Sequence, residues 1–249
     1  MIEIQSLGGG GFFIKSNNGK LLIDPYLGGS PKEGFTRRED PPVRPEDLAE
    51  GTLLLSTHCH GDHCDLRLIK FLEGQTNCRF IGPQSSIDKM TAAGVKKERT
   101  EAVFPGDVLN FPDVEIKVHK GDDPKEEFAV IYVITMGGLR ILHNGDCKYS
   151  AVYAQIGAKS PIDLAFLNYG KVLYLTDRDL LQAASDLHCK VAIPMHWDLY
   201  VEYYLPPEEL LVKKVDYPFD IRIIKPGECM QITGLDGFVK RVGGKACES

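Results

Sequence analysis

The chain has no long hydrophobic run. Its longest apolar stretches are about five to seven residues, against the roughly 20 that a membrane-spanning helix needs. No basic segment with an apolar stretch behind it precedes Ile2-Glu3-Ile4, so no export signal is expected. Positive charge is scarce as well: 29 lysines and arginines face 35 aspartates and glutamates, for a net charge of −6. That balance disfavours nonspecific binding to nucleic acid or to an anionic membrane. Low-complexity tracts and long linkers are missing from the sequence. So is any Gly-x-Gly-x-x-Gly after the first apolar run, which speaks against a single doubly wound dinucleotide-binding sheet. The seven cysteines (59, 64, 78, 147, 189, 229, 247) are odd in number and form no paired framework, which reads as reduced thiols in a cytoplasmic protein. What remains is 249 residues of ordinary globular composition. They suffice to bury a substantial core, and one α/β domain over 1–249 is expected.

A weak internal repeat organises the chain. Residues 12–24 are an apolar run, an Asn18-Gly19 turn and a second run ending in Asp24; residues 131–146 do the same through Gly137-Gly138 and end in Asp146. Such dipeptides between β-rich runs signal hairpins whose tight turns need positive φ. Alternating elements follow each hairpin. In the first half they are a strand at 52–56, a helix at about 65–73, a strand at 79–82 and a helix at about 85–93. In the second they are a helix at 150–158, a strand at 163–167, a helix at 177–187 capped by Thr176 or Asp177, and a strand at 190–194. Two similar halves of this kind predict two facing sheets with helices outside and a site at their shared edge. Segment 28–51 reads as a surface loop over the mouth of that site, and residues 240–249 as a frayed tail.

The densest chemistry is the run His58-Cys59-His60-Gly61-Asp62-His63, directly after the apolar Thr52-Leu53-Leu54-Leu55-Ser56. Four metal-competent side chains at the open end of a buried strand point to cation binding. His58 and His60 lie two apart, so an extended segment projects them from one face toward a first ion. Gly61 lets the chain turn, and Asp62 and His63 can face a second ion nearby. Asp146, after Asn144-Gly145, is placed to bridge two cations, and His196 follows the strand Val191-Ala192-Ile193-Pro194. The third ligand of the first ion is either Asp123 or His119, both near the end of the run 114–118. Asp24 and Asp65 are candidates for carboxylates that fix the ligand imidazoles, with helix capping as the other reading of Asp65. Cys59, Cys64 and Cys147 read as buried structural cysteines rather than as thiolate ligands of a mixed site, and Trp197, Tyr200, Tyr203 and Tyr204 as core filling, with the lining of a substrate pocket as the other reading.

His58-x-His60-x-Asp62-His63, Asn144-Gly145-Asp146 and Pro194-Met195-His196, with the early Leu21-Leu22-Ile23-Asp24-Pro25, resemble the motifs of the metallo-β-lactamase superfamily. The stretches Asp163-Leu164-Ala165-Phe166, Tyr169-Gly170, Thr176-Asp177 and Cys189 to Asp198 resemble its L-ascorbate-6-phosphate lactonase branch. The resemblance implies a four-layer αββα sandwich and a hydrolase with two divalent metal ions, Zn, Mn or Fe. It also implies Asp123 at the third-ligand position and Asp62 in a catalytic role, ligating a cation and orienting the attacking water. Two close cations lower the pKa of a shared water toward neutrality, which yields hydroxide for attack on an ester or lactone. The chain is shorter than that branch. Lys171-Val172-Leu173-Tyr174-Leu175 stands where the branch has an Arg-bearing loop, so no phosphate-binding arginine carries over. The expected function is thus a lactonase or esterase on a small polar, sugar-like molecule, phosphorylated or not. A metal-dependent phosphodiesterase and a non-catalytic metal-binding protein are the alternatives. The expected partner is a small-molecule substrate, with no nucleic acid and no membrane, and homo-oligomerisation is left open.

Overall fold

The opening apolar runs form three antiparallel strands, β1 (Ile2–Gly8), β2 (Gly11–Lys15) and β3 (Lys20–Ile23). The computed structural model describes residues 1–28, 35–171, 174–213, 216–232 and 238–242. The chain continues through β4 (Leu53–Leu55), α1 (Leu66–Gln75), β5 (Arg79–Gly82), α2 (Gln84–Ala92) and β6 (Thr100–Ala102). Then come β7 (Val108–Phe111), β8 (Val114–Lys120), β9 (Val130–Met136), β10 (Leu139–His143), α3 (Val152–Lys159), β11 (Leu164–Asn168) and α4 (Asp177–Asp186). The last elements are β12 (Val191–Met195), α5 (Glu208–Lys213), β13 (Asp220–Ile221), β14 (Cys229–Ile232) and β15 (Phe238–Val242).

These strands build two mixed sheets, one in the order β15-β14-β1-β2-β3-β4-β5-β6 and one in the order β13-β12-β11-β10-β9-β8-β7. The repeat is plain in the pairing. In each sheet a hairpin (β2–β3, β9–β10) is followed by two strands laid parallel to its second arm, β4 and β5 in one and β11 and β12 in the other.

Period-two alternation sorts the side chains into three apolar layers. Phe12, Ile14, Leu21, Leu53 and Leu55 meet Tyr132, Ile134, Ile141, Phe166 and Ile193 between the sheets. Phe13, Leu22, Leu54 and Phe80 point the other way, onto Leu68, Leu72 and Met90 of α1 and α2. Ile131, Val133, Leu142 and Ala165 likewise turn outward onto Tyr153, Ile156, Leu180 and Ala184 of α3 and α4. The result is the αββα sandwich. A one-residue register slip in β2 or β4 would exchange these sets and misplace several large residues at once, each worth about 1.5–3 kcal/mol when buried.

Some expectations need correction. Gly137 and Gly138 do adopt positive φ (54° and 83°), but Asn18 and Gly19 do not. That turn is closed instead by Ser16, whose N–H reaches Gly19 O at 2.8 Å and whose hydroxyl accepts Gly19 N–H at 2.9 Å. Cys59, Cys64, Cys78, Cys147 and Cys189 are free thiols, whereas Cys229 is disulfide-bonded, so the reading of all cysteines as reduced does not hold. Lys240–Val242 belong to β15 rather than to a tail, and 243–249 lie outside the described residues. Among the described residues no helix is long and apolar enough to cross a membrane.

Candidate metal centre

Four strand ends and one loop converge on one edge of the sandwich. Asp24 closes β3, Thr57 and His58 follow β4, Asn144-Gly145-Asp146 follows β10, and His196 follows β12. Asp123 comes from the loop after β8. Two of these residues hold unusual backbone angles for side chains with a Cβ, Asp24 at φ 43° and His196 at φ 70°. Such strain persists only where the surroundings enforce it, and here they do: His196 N–H is bonded to Gly9 O at 2.9 Å. Gly145 (φ 53°) has to be glycine, because a Cβ there would lie 2.6 Å from Thr57 Oγ1. Asn168 fixes the same turn by donating to Gly145 O at 2.8 Å and Cys147 O at 3.0 Å.

The donors form three overlapping groups, each with one ligand atom per residue and all such atoms within 4.8 Å of one another: His58, His60 and Asp123; His58, His63 and Asp146; Asp62, His63 and His196. His58 Nε2 lies 3.0 Å from His60 Nδ1, and His63 Nε2 lies 3.0 Å from His196 Nε2. Asp146 stands between the groups, 3.2 Å from His63 Nε2, 3.5 Å from His196 Nε2 and 4.0 Å from His58 Nε2. Asp123 Oδ2 is 3.9 Å from His58 Nε2, and Asp62 Oδ2 is 3.6 Å from His196 Nε2.

This donor set fits divalent cations. Asp123 Oδ2 and Asp146 Oδ1 are buried without a hydrogen-bond partner, a costly state that a cation would relieve. Donors to one zinc-sized ion lie ~2.0–2.2 Å from it and so about 3–3.5 Å from each other, the spacing of the closest pairs here.

Burial and neighbouring charges set the protonation pattern. Burial, reinforced by His63, drives His58 well below the ordinary histidine range. Burial pulls His63 down too, but Asp146 and Asp24 outweigh it and hold the ring well above that range. Burial would lift Asp146, yet His63 and His196 keep it far below the usual carboxylate range. Asp123 is raised, chiefly by burial and then by Asp146, with the Lys125 backbone N–H opposing. Asp24 fixes the His63 ring: it accepts Thr57 N–H at 2.7 Å and the Thr57 hydroxyl at 2.6 Å, and lies 2.8 Å from His63 Nδ1. His143, which carried no expectation, stacks behind the site with Nε2 donating to Gly10 O at 2.8 Å and Nδ1 accepting Gly145 N–H.

The structure brings His58, His60, Asp62, His63, Asp123, Asp146 and His196 together, with Asp24 behind them. It does not bring His119 or Asp65. His119 alternates with the core residue Val118 on β8, so its ring faces away from the centre, among Lys159, Arg140 and Lys117. Asp65 spends its oxygens on the N–H groups of Arg67, Leu68 and Leu27, which caps α1 and ties down the chain after Asp24. Cys64 and Cys147 are buried as expected, but Cys59 is half-buried, donates to Glu126 Oε2 at 2.9 Å and lines the site cleft. Trp197 is core, whereas Tyr200 and Tyr203 join Phe35 and Tyr174 along the cleft. Of the loop expected over the mouth, Phe35 is there, and 29–34 lie outside the described residues. Lys89 and Lys125 complete the charged lining. Lys89 and Tyr174 left no signal in the sequence, because a lone lysine on a helix and a tyrosine in an apolar loop look like ordinary surface and core.

Two facing sheets sheathed by helices, with a histidine and carboxylate centre at their shared edge, define a metallo-hydrolase fold. The chain belongs to the β-lactamase superfamily, whose domain model matches residues 3–196. It is 33% identical over 187 residues to proteins named "Probable L-ascorbate-6-phosphate lactonase UlaG" from Salmonella paratyphi B and Salmonella newport, a match covering 64% of this chain and 52% of theirs. The chain thus spans about half the length of the curated relatives it matches. Among solved structures it resembles Igni18, a metallo hydrolase from Ignicoccus hospitalis, with TM-score 0.78, 19% identity, and coverage of 93% of this chain and 99% of the other. An isothiocyanate hydrolase from Delia radicum gut bacteria gives TM-score 0.76 at 18% identity, again covering 93% of this chain and 99% of the other. At such identities these two likenesses concern the fold alone.

Proposed function

We propose that the protein is a hydrolase with two divalent cations, Zn, Mn or Fe, that opens a lactone or ester in a small polar substrate. The observation that carries this reading is the convergence of three donor groups around buried carboxylate oxygens that accept no hydrogen bond. His58, His60 and Asp123 would hold one cation and Asp62, His63 and His196 the other, with Asp146 shared. Cations there would supply an acidified water and a positive charge for the substrate oxygen.

The chain does the rest. Asp62 lines the cleft within reach of His196, so its free oxygen can orient the attacking water and hold the proton it gives up. Asp24 keeps the proton of His63 on Nδ1 and turns Nε2 to the centre. The ring of Tyr174 lies 4.5 Å from that of His196 and closes one side against water. The name of the curated relatives supports a lactone as the bond opened.

The test is to purify the protein without chelators, count its metal, and offer a panel of lactones, carboxylic esters and bis-p-nitrophenyl phosphate. Lactone or ester turnover that disappears in Asp62→Asn and Asp146→Asn is the expected result. Cleavage of the diester alone would make the protein a phosphodiesterase. A filled centre with no turnover of anything would make it a metal-binding protein.

A further inference from the structure

The cleft over the centre has a volume of about 390 Å³, ample for a small metabolite, and is charged in a lopsided way. Its lining carboxylates, Asp62, Asp123 and Asp146, all belong to the ligand set. The other charged side chains of the lining are two lysines, Lys89 and Lys125. Lys89 projects from α2, and its Nζ donates to Cys59 O at 2.6 Å, which fixes the ammonium beside the ligand loop. Lys125 follows Asp123 by two residues. Its backbone N–H is bonded to Asp123 Oδ1 at 2.9 Å, while its exposed Nζ makes no hydrogen bond or ion pair among the described residues. Glu126, the next residue in the chain, is committed elsewhere: Oε2 accepts the Cys59 thiol at 2.9 Å, and Oε1 accepts Phe128 N–H at 3.2 Å and the Ser85 hydroxyl at 3.4 Å. Both lysines therefore flank the His58, His60 and Asp123 group. The aromatic lining flanks the other. Tyr174 packs on His196, and Tyr203 lies 5.7 Å from Tyr174 and 5.1 Å from Phe35 between ring centres.

We propose that Lys89 and Lys125 form an anion subsite. The substrate is then an ester or lactone bearing a second anionic group, a carboxylate or a phosphate, remote from the bond that is cleaved, with its ring or chain against Tyr174 and Tyr203. This rests on the hydrolase reading for the bond broken, but not for the anion bound. It places recognition of the anion on α2 and on the loop after β8, rather than on the loop before α4, where this chain has no arginine. Two ammonium groups in a partly enclosed cleft suit such a group, because charge-assisted hydrogen bonds are the strong ones.

Gluconate, glucarate and 6-phosphogluconate differ only at C6, which carries a hydroxymethyl, a carboxylate or a phosphate ester, and the C1 carboxylate of each resembles the product of lactone opening. Calorimetric titration of the metal-loaded protein should show glucarate or 6-phosphogluconate binding about tenfold more tightly than gluconate. Which of the two gains identifies the anion. In Lys89→Met/Lys125→Met with unchanged metal content, the advantage should fall to less than about threefold, and Lys89→Arg/Lys125→Arg should keep it. Because Lys89 also holds Cys59 O, Lys125→Met is measured alone and should lose about threefold by itself. Equal affinity of wild type for all three probes, no binding of any, or an advantage that survives in the methionine variant overturns the subsite. A C6 preference without turnover of any lactone or ester removes the hydrolase reading and leaves the subsite standing. Lactone turnover with no C6 preference does the reverse.

Discussion

Asp24 is fully buried, sits in the left-handed region and still accepts three groups, two from Thr57 and one from His63. Its work is to settle which nitrogen of His63 carries the proton. Asp146 and Asp24 hold His63 above the ordinary histidine range, so they favour a proton on Nε2 that a cation has to displace. The sign follows: metal affinity is weakest at low pH and climbs as pH rises through 6.5 and beyond, by at most about tenfold per pH unit for one displaced proton. Competition with a chromophoric chelator at pH 6, 7 and 8 measures this. In the same assay Asp24→Asn should bind metal about 10–100-fold more weakly, and an affinity that ignores pH would remove the role assigned to His63. Most ligands were legible because a histidine or aspartate immediately after an apolar strand has one direction to face. His119 misled because its chemistry is right while its parity on β8 is wrong: one residue past Val118 is the other face of the sheet. The aromatic lining was legible only as the weaker reading of Tyr200 and Tyr203, since it depends on the segment around Phe35 pairing with the segment around Tyr200, a contact between chain positions with no local pattern.

At the scale of elements, α1 ties the ligand loop to the sandwich. Asp65 follows His63 by two residues, and its side chain caps the helix and holds Leu27 N–H at 3.1 Å. Asp65→Ala should therefore cost about 1–2 kcal/mol in urea unfolding, the usual worth of such a cap, and Asp65→Ser should recover part of it. Metal affinity should move less than about twofold, in contrast to the loss expected from a carboxylate that orients a ligand imidazole. A tenfold weaker affinity in Asp65→Ala with normal stability would return Asp65 to that role. The elements were legible where composition and period agreed: both hairpins, the strands after them and the helices α1 to α4 fall within a few residues of expectation. They were not legible at the margins. Thr100–Ala102 forms β6 with no buried residue at all, and β14 joins the first sheet by pairing with β1 from the far end of the chain. Such pairings depend on a partner strand remote in sequence, which local propensity does not encode.

The whole molecule is two sheets whose ligands are divided between them. His58, His60, Asp62 and His63 follow β4 of the first sheet, whereas Asp123, Asp146 and His196 follow β8, β10 and β12 of the second. Cations shared by both sets would cross-link the halves of the folded state and have no equivalent grip on the unfolded chain, so metal binding should appear as stability. At a free metal concentration 100 times Kd the linkage is worth about 2.7 kcal/mol, and about 2–4 °C per kcal/mol applies to a domain of this size. Scanning calorimetry should therefore find Tm about 5–10 °C higher with zinc or manganese than with EDTA. Asp146→Asn, which weakens the shared ligand, should shrink that difference to less than about half, since the remaining donors of each half can still bind but no longer share a carboxylate. Asp65→Ala should instead lower both transitions together and leave the difference intact, because a helix cap acts on one half alone. If wild type melts at the same temperature with and without metal while elemental analysis shows the ions bound, they do not join the sheets, and the division of ligands would have to serve the substrate rather than the fold.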